Sequence, residues 1–541
     1  MPDPQPHGAD ASDGAGLNTD VVVLGAGPTG LTTAALLADY GVRVTVIERH
    51  PSTGDEPRAI SITDESLRIL QQLGVLEAAA EEMLLDTGAR YFGRNEQLIA
   101  EVKPASSRLG QPGKSQFDQP DVEARLAEAV AARPNARLLF GTEVTELVDG
   151  PGGVTLTVEG PEGRGSAHTR EFTASWLVAC DGGRSFTRGA LGIGLEGSTQ
   201  VEKWVVVDLL NVPGEPEHFA EFHCNGRRPV VVVPGVGGRC RYEFMLLPGD
   251  DEAAIVRPES IVRLVAPFRT IAPGDVRRAA VYVAHQRIAE RYRSGHVLLA
   301  GDAAHLMPPF AGQGLNAGLR DAANVAWKVA EAVRGTGTDA LISSYAVERR
   351  PHARDMVRLS HRIGQVVMST NPAVNLLRDG VVKAVGIVPS WKRWLTGMKF
   401  LKQPHFTAGC VVAPSPSLPA DARDLVGRTL SQPRVTLASG EAVPLDEVLG
   451  NGWAVLWPSA DGGIEVTATD AGGVAARAQV VDPSRAFAAA AEAGAQLIVR
   501  PDRYVAAVVT PARTAAALAE LGRYSTVPTT LLAAPLAQNA G

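Results

Sequence analysis

The run Asp20-Val21-Val22-Val23-Leu24-Gly25-Ala26-Gly27-Pro28-Thr29-Gly30 constrains the fold of this chain more than any other stretch. Asp20 to Leu24 reads as a buried strand, the glycine-rich segment as a tight turn, and Thr29 to Tyr40, with apolar residues at helical spacing, as a helix. Val42 to Ile47 is a second strand, and Glu48 stands at its end. Strand, G-x-G-x-x-G, helix and strand in that order make a βαβ unit that binds a dinucleotide. The first glycine permits the turn, the second lets the backbone approach a pyrophosphate at the helix N-terminus, and the third allows close packing of helix on strand. An acid at Glu48, just before Arg49, accepts from ribose hydroxyls and suits a nucleotide without a 2′-phosphate. Gly25, Gly27, Gly30, Glu48 and Arg49 are therefore the candidate nucleotide contacts.

The 541 residues allow three or four units of ordinary size. Residues 1–19, rich in Gly, Pro, Asp and Ala, read as a flexible tail without the apolar segment of a secretory signal. Helices are expected over Asp64–Leu73, Val122–Ala132 and Asn316–Val333, the last with Asp321, Asn324 and Lys328 at helical intervals. Residues 137–180 alternate strands and turns as a β-meander that returns to the first sheet at Trp176–Cys180. Longer strands over 201–283 predict a separate antiparallel sheet, and His296–Ala300 resumes the first fold. The resulting α/β architecture is a Rossmann-like nucleotide-binding domain (20–195 plus 290–400) with an inserted sheet as substrate domain (196–289). A Pro-rich linker (401–429) and a third domain (430–541) follow.

A net charge of −7 without a basic run gives no support for nucleic-acid binding. No run of eighteen apolar residues exists to cross a membrane. The four cysteines, Cys180, Cys224, Cys240 and Cys410, include no C-x-x-C pair, which argues against a disulfide framework or a metal site and fits a reducing cytoplasm.

Two further motifs narrow the nucleotide. Val178 to Ser185 (VACDGGRS) and Leu299 to His305 (LAGDAAH) resemble the Asp-Gly and Gly-Asp motifs of the group A flavoprotein monooxygenases, the single-component aromatic hydroxylases. Pro308 to Asn316 (PPFAGQGLN), Pro57-Arg58-Ala59-Ile60 and Gln119-Pro120 resemble the same family. The resemblance implies non-covalent FAD, with Gly301 and Asp302 at the ribityl chain, Asp181 positioning cofactor and reductant, and Arg58 and Gln119 beside the FAD. It further implies Gly314, Leu315 and Asn316 at the isoalloxazine, and the Pro309 backbone near substrate. Residues 20–410 are most similar, within that family, to 3-(3-hydroxyphenyl)propionate hydroxylases, and the C-terminal domain to the thioredoxin-like tail of phenol hydroxylases. That tail has no cysteine from residue 430 onward, so it is expected to be redox-inert and structural.

By this resemblance NADH or NADPH binds transiently and reduces FAD, O2 then forms a flavin C4a-hydroperoxide, and one oxygen passes to a small phenolic substrate. The expected assembly is a homodimer. Phenol hydroxylases carry an aspartate as phenolic base where this chain has Ile60, so the base is open. His285, after the strand VYVA, is a candidate base or a structural histidine. Alternation along Arg241-Tyr242-Glu243-Phe244 puts Tyr242 and Phe244 on one face and Arg241 and Glu243 on the other. Tyr242 and Arg241 are candidates for substrate contact, Arg241 for a carboxylate, against the alternative of a core tyrosine and a surface ion pair. A flavin-dependent halogenase is disfavoured because no W-x-W-x-I-P run occurs, Trp391 and Trp394 being spaced W-x-x-W. A larger polycyclic phenol as substrate, or a flavin-binding sensor without turnover, are the remaining alternatives.

Overall fold

The structure is a computed structural model that describes residues 17–104, 107–160, 169–398, 403–470 and 475–526. The first sixteen residues of the expected tail lie outside it. Residues 17–19 do not belong to a tail: the first strand spans Leu17–Leu24, because Leu17, Asn18 and Thr19 already pair with Phe172, Thr173 and Ala174.

That strand is the centre of a parallel sheet. Thr169–Ala179 lies on one side of it and Val44–Ile47 on the other, with Val297–Leu299 and Ala136–Leu139 outside these. Glu143–Gly150 and Gly153–Glu159 form the expected meander, antiparallel to each other and to Thr169–Ala179. The helix Pro28–Asp39 covers the sheet, and the helix Gly314–Val333 packs against it. The approach is close because a Cβ at Gly318 would stand 2.3 Å from Thr29 Oγ1.

The second sheet is antiparallel at its centre, where Leu195–Leu209 pairs with Val276–Ala289 and Cys240–Met245, and Val230–Pro234 and Phe219–His223 follow. It also recruits Gly88–Phe92, parallel to Phe219–His223, and Leu98–Val102. The sheet expected over 196–289 thus takes two strands from the nucleotide-binding part of the chain. Those strands tie the two parts of the chain together, and Tyr91 on the first of them lines the cleft between the sheets.

The C-terminal unit is a seven-stranded sheet between Arg434 and Val509 with short helices on it. The Pro-rich segment before it is no loose linker. Phe406, Cys410 and Val412 are buried, the Cys410 N–H donates to Glu348 at 2.8 Å, and the Val412 N–H donates to Ala506. Among the described residues no helix is long and apolar enough to cross a membrane.

Candidate active site

At the C-terminal ends of the parallel strands a cavity of about 1020 Å³ opens between the two sheets. Its nucleotide end is built by the three glycines, each for its own reason. Gly25 has φ +103, and a Cβ there would stand 2.5 Å from the Cys180 carbonyl oxygen; at Gly30 it would stand 1.9 Å from the Gly25 carbonyl. Gly27 meets nothing within 4 Å. It caps the helix Pro28–Asp39 on the cavity side, where the first N–H groups lack intrahelical partners and favour an anion.

Glu48 lines the same end with one carboxylate oxygen accepting from the Ala26 N–H at 2.8 Å and the other from the His50 N–H at 2.9 Å. The two bonds fix the carboxylate at the strand end. Arg49 and Arg58 also line the cavity with exposed side chains. Gln119 accepts from the Ala59 N–H at 2.6 Å and donates to Glu123, so it holds the loop that carries Arg58.

The Asp-Gly and Gly-Asp motifs meet across the cavity floor. Asp181 caps the short helix Phe186–Ala190 through the Thr187 N–H at 2.9 Å, while its other oxygen is buried without a partner. Arg188 joins the motifs by donating to the carbonyls of Gly183 at 2.8 Å and Ala303 at 3.0 Å. Gly301 has φ +60 and fits against Thr29, where a Cβ would lie 2.7 Å from Oγ1. The Asp302 carboxyl takes no hydrogen bond from the described residues. Water reaches it through the cavity, yet the surrounding protein desolvates it and raises its pKa, opposed by His305 and Arg58. It is thus held ready for a polar group of a ligand.

Asp321 supports this floor from behind. Its carboxylate accepts from the Gly301 N–H at 3.1 Å and from Arg349 at 2.8 Å, and pairs with His305 Nε2 at 2.7 Å. Burial opposes its charge, but Arg349 and His305 outweigh that and lower its pKa. Sequence reasoning gave Asp321 a helical position and no role; a buried acid seven residues before a lysine on one helix was the available signal.

At the far end Gly312 turns the chain with φ +60 into the N-terminus of Gly314–Val333. Gly314, Leu315 and Pro309 line the cavity. Asn316 does not: its side chain is fully buried, accepts from the Thr63 N–H, Thr63 Oγ1 and Ser66 Oγ, and donates to the carbonyls of Ser61 and Gly312. The side chain is a clamp between the 61–66 segment and the turn, which leaves only its backbone for a cofactor.

The wall facing this turn is aromatic and aliphatic. Tyr91 stacks on Phe222 with ring centroids 4.8 Å apart, and Ile60, Val231 and Val233 complete the surface. His285 lines it, with Nδ1 2.9 Å from Thr199 Oγ1. Glu243 and Tyr282 line it too, the Tyr282 hydroxyl donating to Glu243 at 3.3 Å; burial raises the pKa of both.

Two expected substrate contacts are corrected. Tyr242 points away from the cavity into a core with Phe244, Ile261 and Val265, and is 1% exposed. Arg241 is buried, donates to Asp208 at 2.6 Å, and donates from each terminal nitrogen to a carbonyl, those of Arg58 and Pro57. It anchors the Arg58 loop, is 4% exposed and does not line the cavity, so it does not meet a substrate carboxylate. Two residues not anticipated occupy the wall instead. Lys114 and Gln116 line the cavity from the strand Lys114–Phe117, and both polar atoms of the Gln116 side chain are buried without partners.

The arrangement offers an extended pocket with groups suited to an anion and a ribose at one end, and a compartment walled by aromatic and aliphatic side chains at the other. Gly27 and Gly314, each open to the cavity beyond the place of a Cβ, leave the approach that a flavin dinucleotide requires. The residues present fit that group.

Residues 18–360 match the model of the FAD binding domain family. The chain is 40% identical over 439 residues to a 3-(3-hydroxy-phenyl)propionate/3-hydroxycinnamic acid hydroxylase of Mycolicibacterium smegmatis, covering 81% of this chain and 76% of the relative. A similarly described hydroxylase of Burkholderia vietnamiensis is 39% identical, with 81% and 79% covered. Among solved structures, OxyS anhydrotetracycline hydroxylase from Streptomyces rimosus superposes with a TM-score of 0.73 at 27% identity, covering 95% of this chain and all of that one.

Proposed function

Because the chain belongs to the FAD binding domain family, we propose that it hydroxylates a phenol with a short carboxylate side chain, 3-(3-hydroxyphenyl)propionate or 3-hydroxycinnamate, to the 2,3-dihydroxy product. It is an FAD-dependent aromatic monooxygenase. The observation that carries the substrate reading is the identity of about 40% to hydroxylases of these acids over 81% of the chain. The aromatic wall opposite the Gly312–Leu315 turn agrees with it. NADH or NADPH is the transient reductant in this reading.

Bound in the cavity, FAD supplies the activation of O2 and the transfer of one oxygen atom to the ring. The chain's own part is positional and electrostatic. Backbone N–H groups at the start of Gly314–Val333 favour negative charge on a ligand placed against them. Tyr91, Phe222, Val231 and Val233 orient the ring and exclude water. Ile60 lines the cavity, so the position of the aspartate base in phenol hydroxylases is apolar here. We assign the phenolic proton to His285, in the tautomer that donates Nδ1–H to Thr199 Oγ1 and keeps Nε2 as the acceptor.

The test is turnover under labelled O2 with either coenzyme. One labelled oxygen ortho to the original hydroxyl of the acid is expected, and 3-phenylpropionate, whose ring lacks an activating hydroxyl, should not be converted. A second reading, a larger polycyclic phenol, draws on the likeness to OxyS along nearly the whole chain. Conversion of such phenols with none of the acids would decide for it.

A further inference from the structure

The substrate reading calls for a cation in the ring compartment. Arg49, next to Glu48, and Arg184, three residues after Asp181, line the cavity at its nucleotide end and floor with exposed side chains, which leaves Arg241, Arg58 and Lys114 to weigh. Arg241 is consumed by Asp208 and two carbonyls. Arg58 is carried on the loop that Gln119 fixes beside the nucleotide end, where its charge acts on Asp302 and Glu123. Lys114 differs from both.

Its strand, Lys114–Phe117, runs antiparallel to Ser61–Thr63, with Lys114 opposite Thr63 and Gln116 opposite Ser61. Thr63 is held by the Asn316 clamp, and Ser61 lies beside Gly312, where a Cβ would approach its side chain to 3.2 Å. The strand pair therefore abuts the Gly312–Leu315 turn. On its other side the Lys114 carbonyl accepts from the Thr87 N–H, one residue before the strand that carries Tyr91. Lys114 and Gln116 thus stand between the Gly312–Leu315 turn and the aromatic wall. Being two apart on a strand, they project to the same side, and both line the cavity.

We infer that Lys114 and Gln116 together hold the carboxylate of the substrate, the lysine as the cation and the glutamine amide as a hydrogen-bond donor. This rests on the reading of the substrate as a phenolic acid. The Lys114 ammonium makes no ion pair among the described residues, and burial, with no carboxylate to offset it, lowers its pKa to about 8. Gln116 is 2% exposed and leaves both amide oxygen and nitrogen unpartnered, a costly state in a folded chain unless a ligand completes it. A carboxylate placed against the pair satisfies the amide nitrogen and restores a neutral site. Glu243 lines the same compartment; the Tyr282 hydroxyl donates to it, and burial raises its pKa, which lessens its repulsion of a second carboxylate.

The holoenzyme variants Lys114→Met, Lys114→Arg and Gln116→Leu test this with a matched substrate pair, 3-(3-hydroxyphenyl)propionate and 3-propylphenol. Lys114→Met should raise KM for the acid about 10- to 100-fold, the range of a hydrogen bond to a charged group. It should lower the preference for the acid over 3-propylphenol by a similar factor. Lys114→Arg should restore most of that preference, and Gln116→Leu should lower it several-fold. Binding of 3-phenylpropionate, measured by calorimetry without turnover, should weaken in parallel. Equal losses on both substrates, or unchanged binding of 3-phenylpropionate to Lys114→Met, would overturn the assignment. Should the parent bind 3-phenylpropionate through Lys114 yet convert no phenolic acid, the anchor stands and the substrate reading falls.

Discussion

Replacing Glu348 with glutamine should loosen the joint between the C-terminal unit and the nucleotide-binding domain. The Glu348 carboxylate is fully buried and accepts from Lys328 at 2.7 Å, from Arg500 at 2.9 Å through both terminal nitrogens, from Asn324 at 2.8 Å and from the Cys410 N–H at 2.8 Å. Arg500 also pairs with Asp502, so two cations and two anions balance without solvent. Burial alone would raise the Glu348 pKa, but Arg500 and Lys328 hold it at about 2 against an ordinary 4.5. That difference corresponds to roughly 3 kcal/mol of preference for the anion in the folded state, and breaking a buried pair costs about 3–5 kcal/mol. With about 2.1 cal/mol/K of unfolding entropy per residue over 541 residues, Tm falls by about 3–4 °C, and by more if the C-terminal unit opens first. Scanning calorimetry at pH 7, with flavin fluorescence to report cofactor release, measures it. A depressed folded pKa gives stability that is present above 4.5 and lost as pH falls towards 2, so the gap between parent and Glu348→Gln should close over that window. The double variant Lys328→Met, Glu348→Gln removes one charge of each sign and should recover part of the loss. A Glu348→Gln protein melting within about 1 °C of the parent, or a double variant worse than the sum of its singles, would refute the reasoning.

Asp302→Ala should weaken FAD retention about tenfold or more, read by flavin lost on ultrafiltration, since no other described side chain uses that carboxylate. Asn316→Ala removes five hydrogen bonds from a fully buried site and should lower both Tm and kcat while leaving the flavin spectrum recognisable; unchanged kcat would show that the clamp does not set the turn. Deleting residues 430–541 should yield an unstable protein that loses FAD, because Arg500, Asp502, Tyr504 and Trp453 all bond into the nucleotide-binding domain; a monodisperse truncation with the parent's Tm would refute this.

The elements legible in the sequence are those whose signal is local. The βαβ unit could be read because its glycines answer steric demands set within a few residues: a turn at Gly25, an open face at Gly27, and contact with the Gly25 carbonyl at Gly30. The helix beginning at Gly314 showed itself by periodicity. Gly88–Phe92 did not show as part of the second sheet, since its partner Phe219–His223 lies some 130 residues away and a five-residue strand carries no register of its own. The packing of segment 403–429, with Phe406, Cys410 and Val412 buried, was hidden for a different reason: proline and serine mark it as irregular, and irregular backbone can still pack when side chains such as Glu348 satisfy its N–H groups.

The same distinction explains the substrate wall. Alternation placed Arg241 and Glu243 on one face correctly, yet it could not tell which of them meets open space. Cross-strand register decides that: Arg241 lies opposite Asp208, so the guanidinium is claimed within the sheet, and the loop at Pro57 and Arg58 closes over its remaining donors. Glu243, two residues on, passes that loop and reaches the cavity. The cation assigned to the substrate then comes from another strand, and Lys114 carries no motif of its own although Gln119-Pro120 follows five residues later. What marks it is a negative property visible only in three dimensions, a half-buried ammonium without a carboxylate beside an amide without partners. Cofactor-binding residues are recognisable because the cofactor is constant and its backbone-level demands are strict. Substrate-binding residues are set by whichever polar groups the packing leaves unsatisfied, and that remainder is known only once every other partner has been assigned.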